Sequence, residues 1–140
     1  MDKSMPGAVP PKEVVELELV NQRLTELTQG LQMTEQQLEH SSLALSVLKE
    51  LANTTDNQEI LVPVGNGVFF TVNQSSIRDI KVAVGAGVVV DKSNADALAF
   101  VQKQFDELQA YYSQLITTYE ITVQKANQLQ ERIESGYKNK

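Results

Sequence analysis

The chain has few or none of the residues that most often form metal sites, catalytic nucleophiles and nucleic-acid contacts. Its 140 residues include no cysteine, no tryptophan and a single histidine, His40. Without cysteine, a disulfide framework, a thiolate nucleophile and a cysteine-ligated zinc site are all excluded. Basic side chains are also scarce, with 12 Lys and Arg against 18 Asp and Glu. We therefore expect no nucleic-acid partner, because that affinity comes mainly from clustered cations.

Long apolar runs are missing as well. The longest, Val82 to Val90, contains two glycines and is far shorter than the roughly 20 apolar residues that a membrane-spanning helix needs. The N-terminus has no apolar stretch of the kind found in secretory signals. These features predict a cytoplasmic protein without a membrane partner.

Motifs for catalysis or cofactor binding are absent too. His40 has Gln37 three residues before it, where a carboxylate metal motif would place glutamate. Two Gly-x-Gly sequences occur, but a dinucleotide-binding loop needs a third glycine where this chain has Phe70 and Val90. The sequence contains neither an HExxH nor a Walker A motif. We expect a protein that is not an enzyme, with no catalytic residue, metal or cofactor.

Composition divides the chain into pieces of different character. A proline-rich leader comes first, and two long segments without proline flank a middle piece rich in glycine and β-branched residues. The predicted boundaries are 1–11 for the flexible leader, 12–57 for the first helix, 58–93 for the β-structure, 94–137 for the second helix and 138–140 for a tail.

Both long segments carry seam residues at alternating spacings of three and four. In the first segment these are Leu17, Val20, Leu24, Leu27, Leu31, Thr34, Leu38, Ser41, Leu45, Leu48 and Ala52. In the second they are Leu98, Val101, Phe105, Leu108, Tyr112, Leu115, Tyr119, Thr122, Ala126, Leu129 and Ile133. An uninterrupted alternation of this kind predicts coiled-coil helices.

The two helices have matched lengths, each about 60 Å at 1.5 Å per residue, and a short connection. This favours an antiparallel hairpin in which facing residue numbers add to about 150 and Asn94 with Asp96 opens the second helix. The small seam residues Thr34 and Ser41 are then expected near the bulky Tyr112 and Tyr119.

The middle piece contains an internal repeat at an offset of 20 residues. Val62 to Phe70 and Val82 to Val90 each consist of an apolar run, a Gly-x-Gly turn and a second apolar run. This pattern predicts two β-hairpins, with the turn glycines at positive φ. Apolar and polar residues do not alternate along these strands, so both faces of each hairpin should be covered by other parts of the protein. Because two thin helices cannot cover them, we expect the hairpins to join an oligomeric β-barrel body.

Apolar residues outside the seam concentrate at the free end of the predicted coil. Val14, Val15 and Leu19 lie there on the first helix and Tyr137 on the second. Isolated exposed apolar residues are ordinary. Their concentration at one end instead favours a surface that binds apolar partners without sequence preference.

The succession of coil, two glycine-turn hairpins and coil resembles the α class of prefoldin subunits. The most specific stretches are Leu61 to Gly65 and Val84 to Val88, and two hairpins instead of one distinguish the α class from the β class. The resemblance implies an α+β fold, with a long antiparallel two-helix coiled coil and two β-hairpins at one end. It also implies a hexamer of two α and four β subunits. The hairpin residues expected to assemble are Ile60, Val62, Val64, Gly65, Gly67, Phe69, Val82, Val84, Gly85, Gly87 and Val89.

The same resemblance implies a function. Members of this family are ATP-independent co-chaperones that hold unfolded client proteins at the coil tips and pass them to a cytosolic group II chaperonin. Here the residues expected to contact clients are Val14, Val15, Leu19, Leu129, Ile133 and Tyr137. The alternative that the sequence leaves open is a structural role, in which the chain is a subunit of a self-assembling filament or scaffold.

Overall fold

The computed structural model describes residues 11–55, 57–77 and 79–138, with the side chains of Pro11, Tyr137 and Lys138 outside the description. Along the chain, two long helices flank two small antiparallel hairpins, as the sequence predicts. In chain order the elements are helix α1 (Pro11–Asn53), strands β1 (Glu59–Gly65) and β2 (Val68–Asn73), a 3-10 turn (Gln74–Ser76), strands β3 (Ile80–Gly85) and β4 (Val88–Lys92), and helix α2 (Asn94–Lys138). The predicted leader falls almost wholly outside the described residues.

Helix α1 ends at Asn53, four residues before the boundary expected from composition. Asn and Thr have lower helix propensity than the preceding Leu and Ala, and their side chains compete for backbone hydrogen bonds. The Thr54 hydroxyl accordingly donates a hydrogen bond to the carbonyl oxygen of Leu51 at 3.1 Å. The helix therefore stops where its own side chains begin to satisfy the last carbonyls.

The described chain divides into two compact units. The first contains α1 up to Glu35 and α2 from Tyr111, and the second contains residues 36–110 with both hairpins. In the first unit the buried residues are Val20, Leu27, Thr34 and Leu129, all at predicted seam positions. The Thr34 hydroxyl donates a hydrogen bond to the carbonyl oxygen of Gly30 at 2.8 Å, so this buried polar group is satisfied within its own helix.

The helices of the first unit run antiparallel, with a register slightly different from the predicted one. A Cβ at Gly30 would lie 3.7 Å from Leu115 Cδ1, and Glu35 lies beside Tyr112. These pairs have residue numbers that add to 145 and 147, whereas the sequence predicts about 150. The difference corresponds to roughly one helical turn. The expected proximity of Thr34 and Ser41 to Tyr112 and Tyr119 stays a prediction. Partial burial, then the charge of Glu35 and a hydrogen bond to it, raises the pKa of Tyr112.

The second unit is held together where the helices meet the hairpins. Its buried apolar residues are Leu45, Leu48, Ile60 and Ala97. The Asn94 amide donates a hydrogen bond to the carbonyl oxygen of Leu48 at 3.2 Å, which ties the start of α2 to α1. The residue that caps α2 is Ser93 and not Asn94, because Ser93 Oγ accepts a hydrogen bond from the backbone N–H of Asp96 at 3.1 Å.

Each hairpin closes through a two-residue turn, Asn66-Gly67 in the first and Ala86-Gly87 in the second. Both residues of each turn have positive φ, which is the conformation of a type I′ turn. The pairing register shifts between Pro63 and Gly65 in the first hairpin and between Ala83 and Gly85 in the second. The internal repeat of the sequence is therefore a repeat of backbone geometry, including the same bulge.

We predict that Gly30→Ala stabilises the protein by about 1 kcal/mol, because glycine inside a helix costs about that much relative to alanine. The added methyl group would meet Leu115 Cδ1 at 3.7 Å, an ordinary van der Waals distance. Urea denaturation followed by circular dichroism measures the change. Gly136→Ala is the matched control: it has open space around it near a helix end and should gain less. A destabilised Gly30→Ala variant would contradict the packing described here.

The two turns predict stability changes of opposite sign. Ala86 has φ 52°, in the left-handed region that costs an L-residue about 1 kcal/mol and that Asn tolerates better. Ala86→Asn should therefore raise the free energy of unfolding by up to about 1 kcal/mol, and Asn66→Ala should lower it by a similar amount. Thermal unfolding measures both. Changes of the same sign would show that the turns do not share a conformation.

Candidate interaction surfaces

Each hairpin presents an inner face and an open face. The inner faces carry Ile60, Val62, Phe70 and Val72 in the first hairpin and Ile80, Val82 and Val90 in the second. Ile60 is buried, and Ile80 lines a cavity of about 210 Å³ together with Leu51 of α1. Val62, Val72, Val82 and Val90 are half-buried, whereas Phe70 is 60% exposed. The chain therefore covers the base of each inner face with its own residues and leaves Phe70 uncovered.

The open faces carry the side chains that alternate with those of the inner faces. They are Leu61, Pro63, Phe69 and Thr71 in the first hairpin and Lys81, Ala83, Val89 and Asp91 in the second. Apart from Pro63, which is half-buried, all are exposed. Three of them, Leu61, Phe69 and Val89, are large apolar residues more than half exposed. Apolar surface of this extent on strands is typical of an interface.

The residues predicted to assemble are split between these environments. Ile60, Val62 and Val82 lie on the inner faces, whereas Phe69 and Val89 lie on the open faces. Val64 and Val84 sit at the bulges and are exposed. The four predicted turn glycines, Gly65, Gly67, Gly85 and Gly87, all have positive φ. The surface available to another chain is therefore only part of the predicted set.

An ion pair on the second hairpin was not anticipated from the sequence. Lys81 Nζ lies 2.7 Å from Asp91 Oδ1 across the two strands, and both side chains are exposed. The hydrogen bond and charge of Asp91 raise the pKa of Lys81. The internal repeat relates the two hairpins, because Lys81 and Asp91 occupy the positions that Leu61 and Thr71 have in the first hairpin. Since Leu61 and Thr71 are cross-strand partners, the repeat alone could have placed Lys81 opposite Asp91.

The residues predicted at the coil tip also fall into two groups. Val14 is exposed, and Val15 and Leu19 are 53% and 58% exposed on α1. Leu129 is only 2% exposed, in the seam, and Ile133 is half-buried. The side chain of Tyr137 lies outside the described residues. The structure thus leaves Val14, Val15 and Leu19 exposed near the start of α1, with Val15 and Leu19 one turn apart, and buries Leu129 in the seam.

An open groove of about 420 Å³ lies beside this end of the coil, on the first unit. Its lining includes Glu16 of α1 and Ile121, Lys125, Leu129 and Arg132 of α2. The lining mixes charged, polar and apolar side chains, and its residues form no ion pair in the described part of the chain. Nothing in this lining resembles a catalytic arrangement of nucleophile, base and orienting group.

Two searches over the described residues bear on metals and membranes. No group of three or more His, Cys, Asp or Glu side chains in ranges 11–55, 57–77 and 79–138 is arranged to hold a metal ion. Neither helix, as far as it is described, has the length and apolar character required to cross a membrane.

Comparison with known proteins connects these surfaces to a family. The prefoldin subunit family model matches residues 20–139. The prefoldin subunit alpha of Methanoculleus marisnigri is 27% identical over 132 residues, covering 91% of this chain and 88% of the relative. That of Thermofilum pendens is 30% identical over 93 residues, covering 66% and 72%.

Among solved structures, the prefoldin beta subunit from Thermococcus strain KS-1 matches with a TM-score of 0.60 at 18% identity. The match covers 95% of this chain and 97% of that one. At this identity the likeness concerns the fold alone. The family match over most of the chain, the relatives named alpha and the two hairpins between long helices agree: the chain belongs to the prefoldin family, in its α class.

Proposed function

We propose that this subunit works in an ATP-independent holdase, which binds non-native proteins at its coiled-coil tips and delivers them to a group II chaperonin. The working form is a cytoplasmic hexamer of two α and four β subunits. The observation that carries the proposal is the exposed apolar group Val14, Val15 and Leu19, which lies at one end of the helix pair in the first unit.

This tip surface has the chemistry that a holdase requires. Val15 and Leu19 are four residues apart and therefore neighbours on one helix face, where a purely structural coil would present polar side chains. Apolar contacts are non-directional, so they suit client segments that share hydrophobicity but no sequence. Glu16 and Glu18 adjoin the same face and keep it hydrated between clients.

Assembly through the hairpins supports the same proposal. The open faces leave Leu61, Phe69 and Val89 uncovered, which is consistent with partner hairpins from β-class subunits and a second α subunit. An assembly presents several tips to one client. Weak contacts at each tip then combine, because binding at one raises the effective concentration at the next.

The decisive test replaces the exposed tip residues without disturbing the seam. Val15→Gln with Leu19→Gln keeps helix-forming side chains and removes most of the apolar surface. In the hexamer, we expect the concentration needed to suppress aggregation of an unfolded client to rise by about tenfold, as the loss of roughly 1.4 kcal/mol of apolar contact would produce. Light scattering of a denatured client measures suppression.

Met33→Gln is the matched control, because Met33 is 62% exposed on α1 but distant in sequence from the tip. It should leave suppression unchanged. Undiminished suppression by the Val15 and Leu19 variant would refute client binding at the tip. If the hexamer remained intact and suppressed no aggregation even in its wild-type form, a scaffold role would be favoured instead.

Leu129 tests whether a predicted tip residue that lies in the seam contacts clients directly. Because its side chain is buried in the seam, Leu129→Ala should lower the free energy of unfolding by about 2–5 kcal/mol. Chemical denaturation gives this value. A variant with unchanged stability but weaker client suppression would show that Leu129 is a surface contact, contrary to its burial here.

A further inference from the structure

The open groove on the first unit is lined by two cations, although the chain as a whole is acidic. Lys and Arg number 12 against 18 Asp and Glu. Lys125 and Arg132 line the groove, of about 420 Å³, together with a single acid, Glu16. Both cations are exposed, and neither forms an ion pair with a residue that the structure describes. The groove therefore offers positive charge to a ligand.

The sequence explains why these two cations have no acidic neighbour on their own helix. Side chains three or four residues apart are neighbours on a helix surface. The residues at those distances from Lys125 and Arg132 are all uncharged, namely Ile121, Thr122, Gln128, Leu129, Ser135 and Gly136. The acids of this part of α2 lie at other positions around the helix. A carboxylate from outside the helix can therefore reach both cations without displacing an existing partner.

The cations belong to a strip that also carries an apolar side chain. Ile121, Lys125, Gln128 and Arg132 all line the groove, at successive spacings of four, three and four residues along α2. Ile121 is 61% exposed. Beyond Arg132 the lining of an adjoining open groove includes Glu131 and Glu13 of α1, so acids bound the positive stretch at that end. The strip thus presents one apolar contact followed by two positive ones.

We propose that this groove binds extended segments of non-native proteins in which an apolar side chain is followed by two acidic ones at alternate positions, and that Lys125 and Arg132 select for those acids. The inference rests on the proposed function and deepens it, because it names a class of client. Val15 and Leu19 have Glu16 and Glu18 as sequence neighbours, which repel acidic segments. The groove therefore supplies a preference that the apolar tip residues lack.

The spacing along the strip fits an extended segment. A helix rises about 1.5 Å per residue, so along its axis Lys125 lies about 6 Å and Arg132 about 16 Å beyond Ile121. Side chains on one face of an extended chain recur about every 6.6 Å, so the two acids lie about 7 and 13 Å beyond the apolar residue. The first acid is then level with Lys125. The long arginine side chain can cover the remaining distance of about 3 Å to the second acid.

The combination of contacts indicates a non-native segment and not a folded acidic protein. Ion pairs between exposed side chains are weak and screened by salt, so Lys125 and Arg132 alone provide a preference and little affinity. The apolar contact with Ile121 must supply the rest. Folded proteins bury most of their large apolar side chains, whereas a non-native chain presents them next to its acids.

The test compares two threonine-rich peptides that differ only in charge. Each contains photo-leucine, followed at the second and fourth positions by glutamate in one peptide and by lysine in the other. They are photolysed with the hexamer formed by co-expression with a one-hairpin β-class partner, and mass spectrometry quantifies the crosslinks to this chain around Ile121. At low peptide concentration we expect about tenfold more crosslinking of the glutamate peptide, because two contacts change from repulsive to attractive. At an ionic strength of about 1 M the difference should fall below about twofold, because salt screens exposed charges.

The variant Lys125→Gln with Arg132→Gln removes both charges and keeps good helix formers at exposed positions. It should reduce the preference for the glutamate peptide to less than about twofold, because only the uncharged contacts remain. Lys103→Gln is the matched control. Lys103 is an exposed cation of α2 in the second unit, and Asp106 and Glu107 follow it by three and four residues. This variant should keep the full preference.

Two results would overturn the inference: wild type that crosslinks the glutamate peptide no more than the lysine peptide, or a preference that survives in K125Q/R132Q. A competition experiment tests the nature of the occupant. An acidic protein should reduce crosslinking of the glutamate peptide at about tenfold lower concentration when unfolded than when folded. Equal competition by the two forms would show that the groove docks a native partner, contrary to the inference.

Suppression of client aggregation by the same preparations separates this inference from the proposed function. If suppression is intact and the peptides show no charge preference, the inference alone is refuted. If the charge preference is present and wild type suppresses no aggregation, the proposed function is refuted and the groove remains a peptide-binding site.

Discussion

The structure depends on one imbalance, which is that the hairpins carry more apolar surface than the chain itself covers. Ile60 and Ile80 are held on the inner faces, where Leu51 of α1 borders Ile80. Leu61, Phe69 and Val89 remain in water on the open faces. An isolated two-stranded hairpin is marginal, and exposed strands invite pairing with other chains. This exposure favours the proposed role of the hairpins as contacts between subunits, which leaves the helices available for another purpose.

The helices can serve that purpose because their own association needs no partner. Leu27, Thr34 and Leu129 fill the seam of the first unit, and the one hydroxyl among them is satisfied within its helix. The outer surface of α1 near its start therefore takes no part in packing between the helices. Val15 and Leu19 can stay exposed there without weakening the coil, which separates the residues that maintain the fold from those proposed to bind a client.

Much of this could be predicted from the sequence, for physical reasons. The seam repeat indicates which helix residues are covered: Val20, Leu45 and Leu129 are buried at predicted positions, although Ala52 is exposed. The glycine turns indicate two hairpins. Which strand residues share a face could not be predicted, because a one-residue slip exchanges the faces and each hairpin contains a bulge. The Lys81–Asp91 contact and the separation of Phe69 from Ile60 depend on that register. The sequence also cannot show whether a residue at the tip is exposed when that residue, like Leu129, belongs to the seam as well.

The repeated hairpin has a consequence for what one chain can contact. Both hairpins keep the turn glycines and the bulge, which the backbone geometry requires. The side chains of the open faces are free of that requirement, and they differ: one face is uncharged, whereas the other carries Lys81 and Asp91. A duplicated backbone therefore gives this chain two surfaces of different chemistry without a second fold.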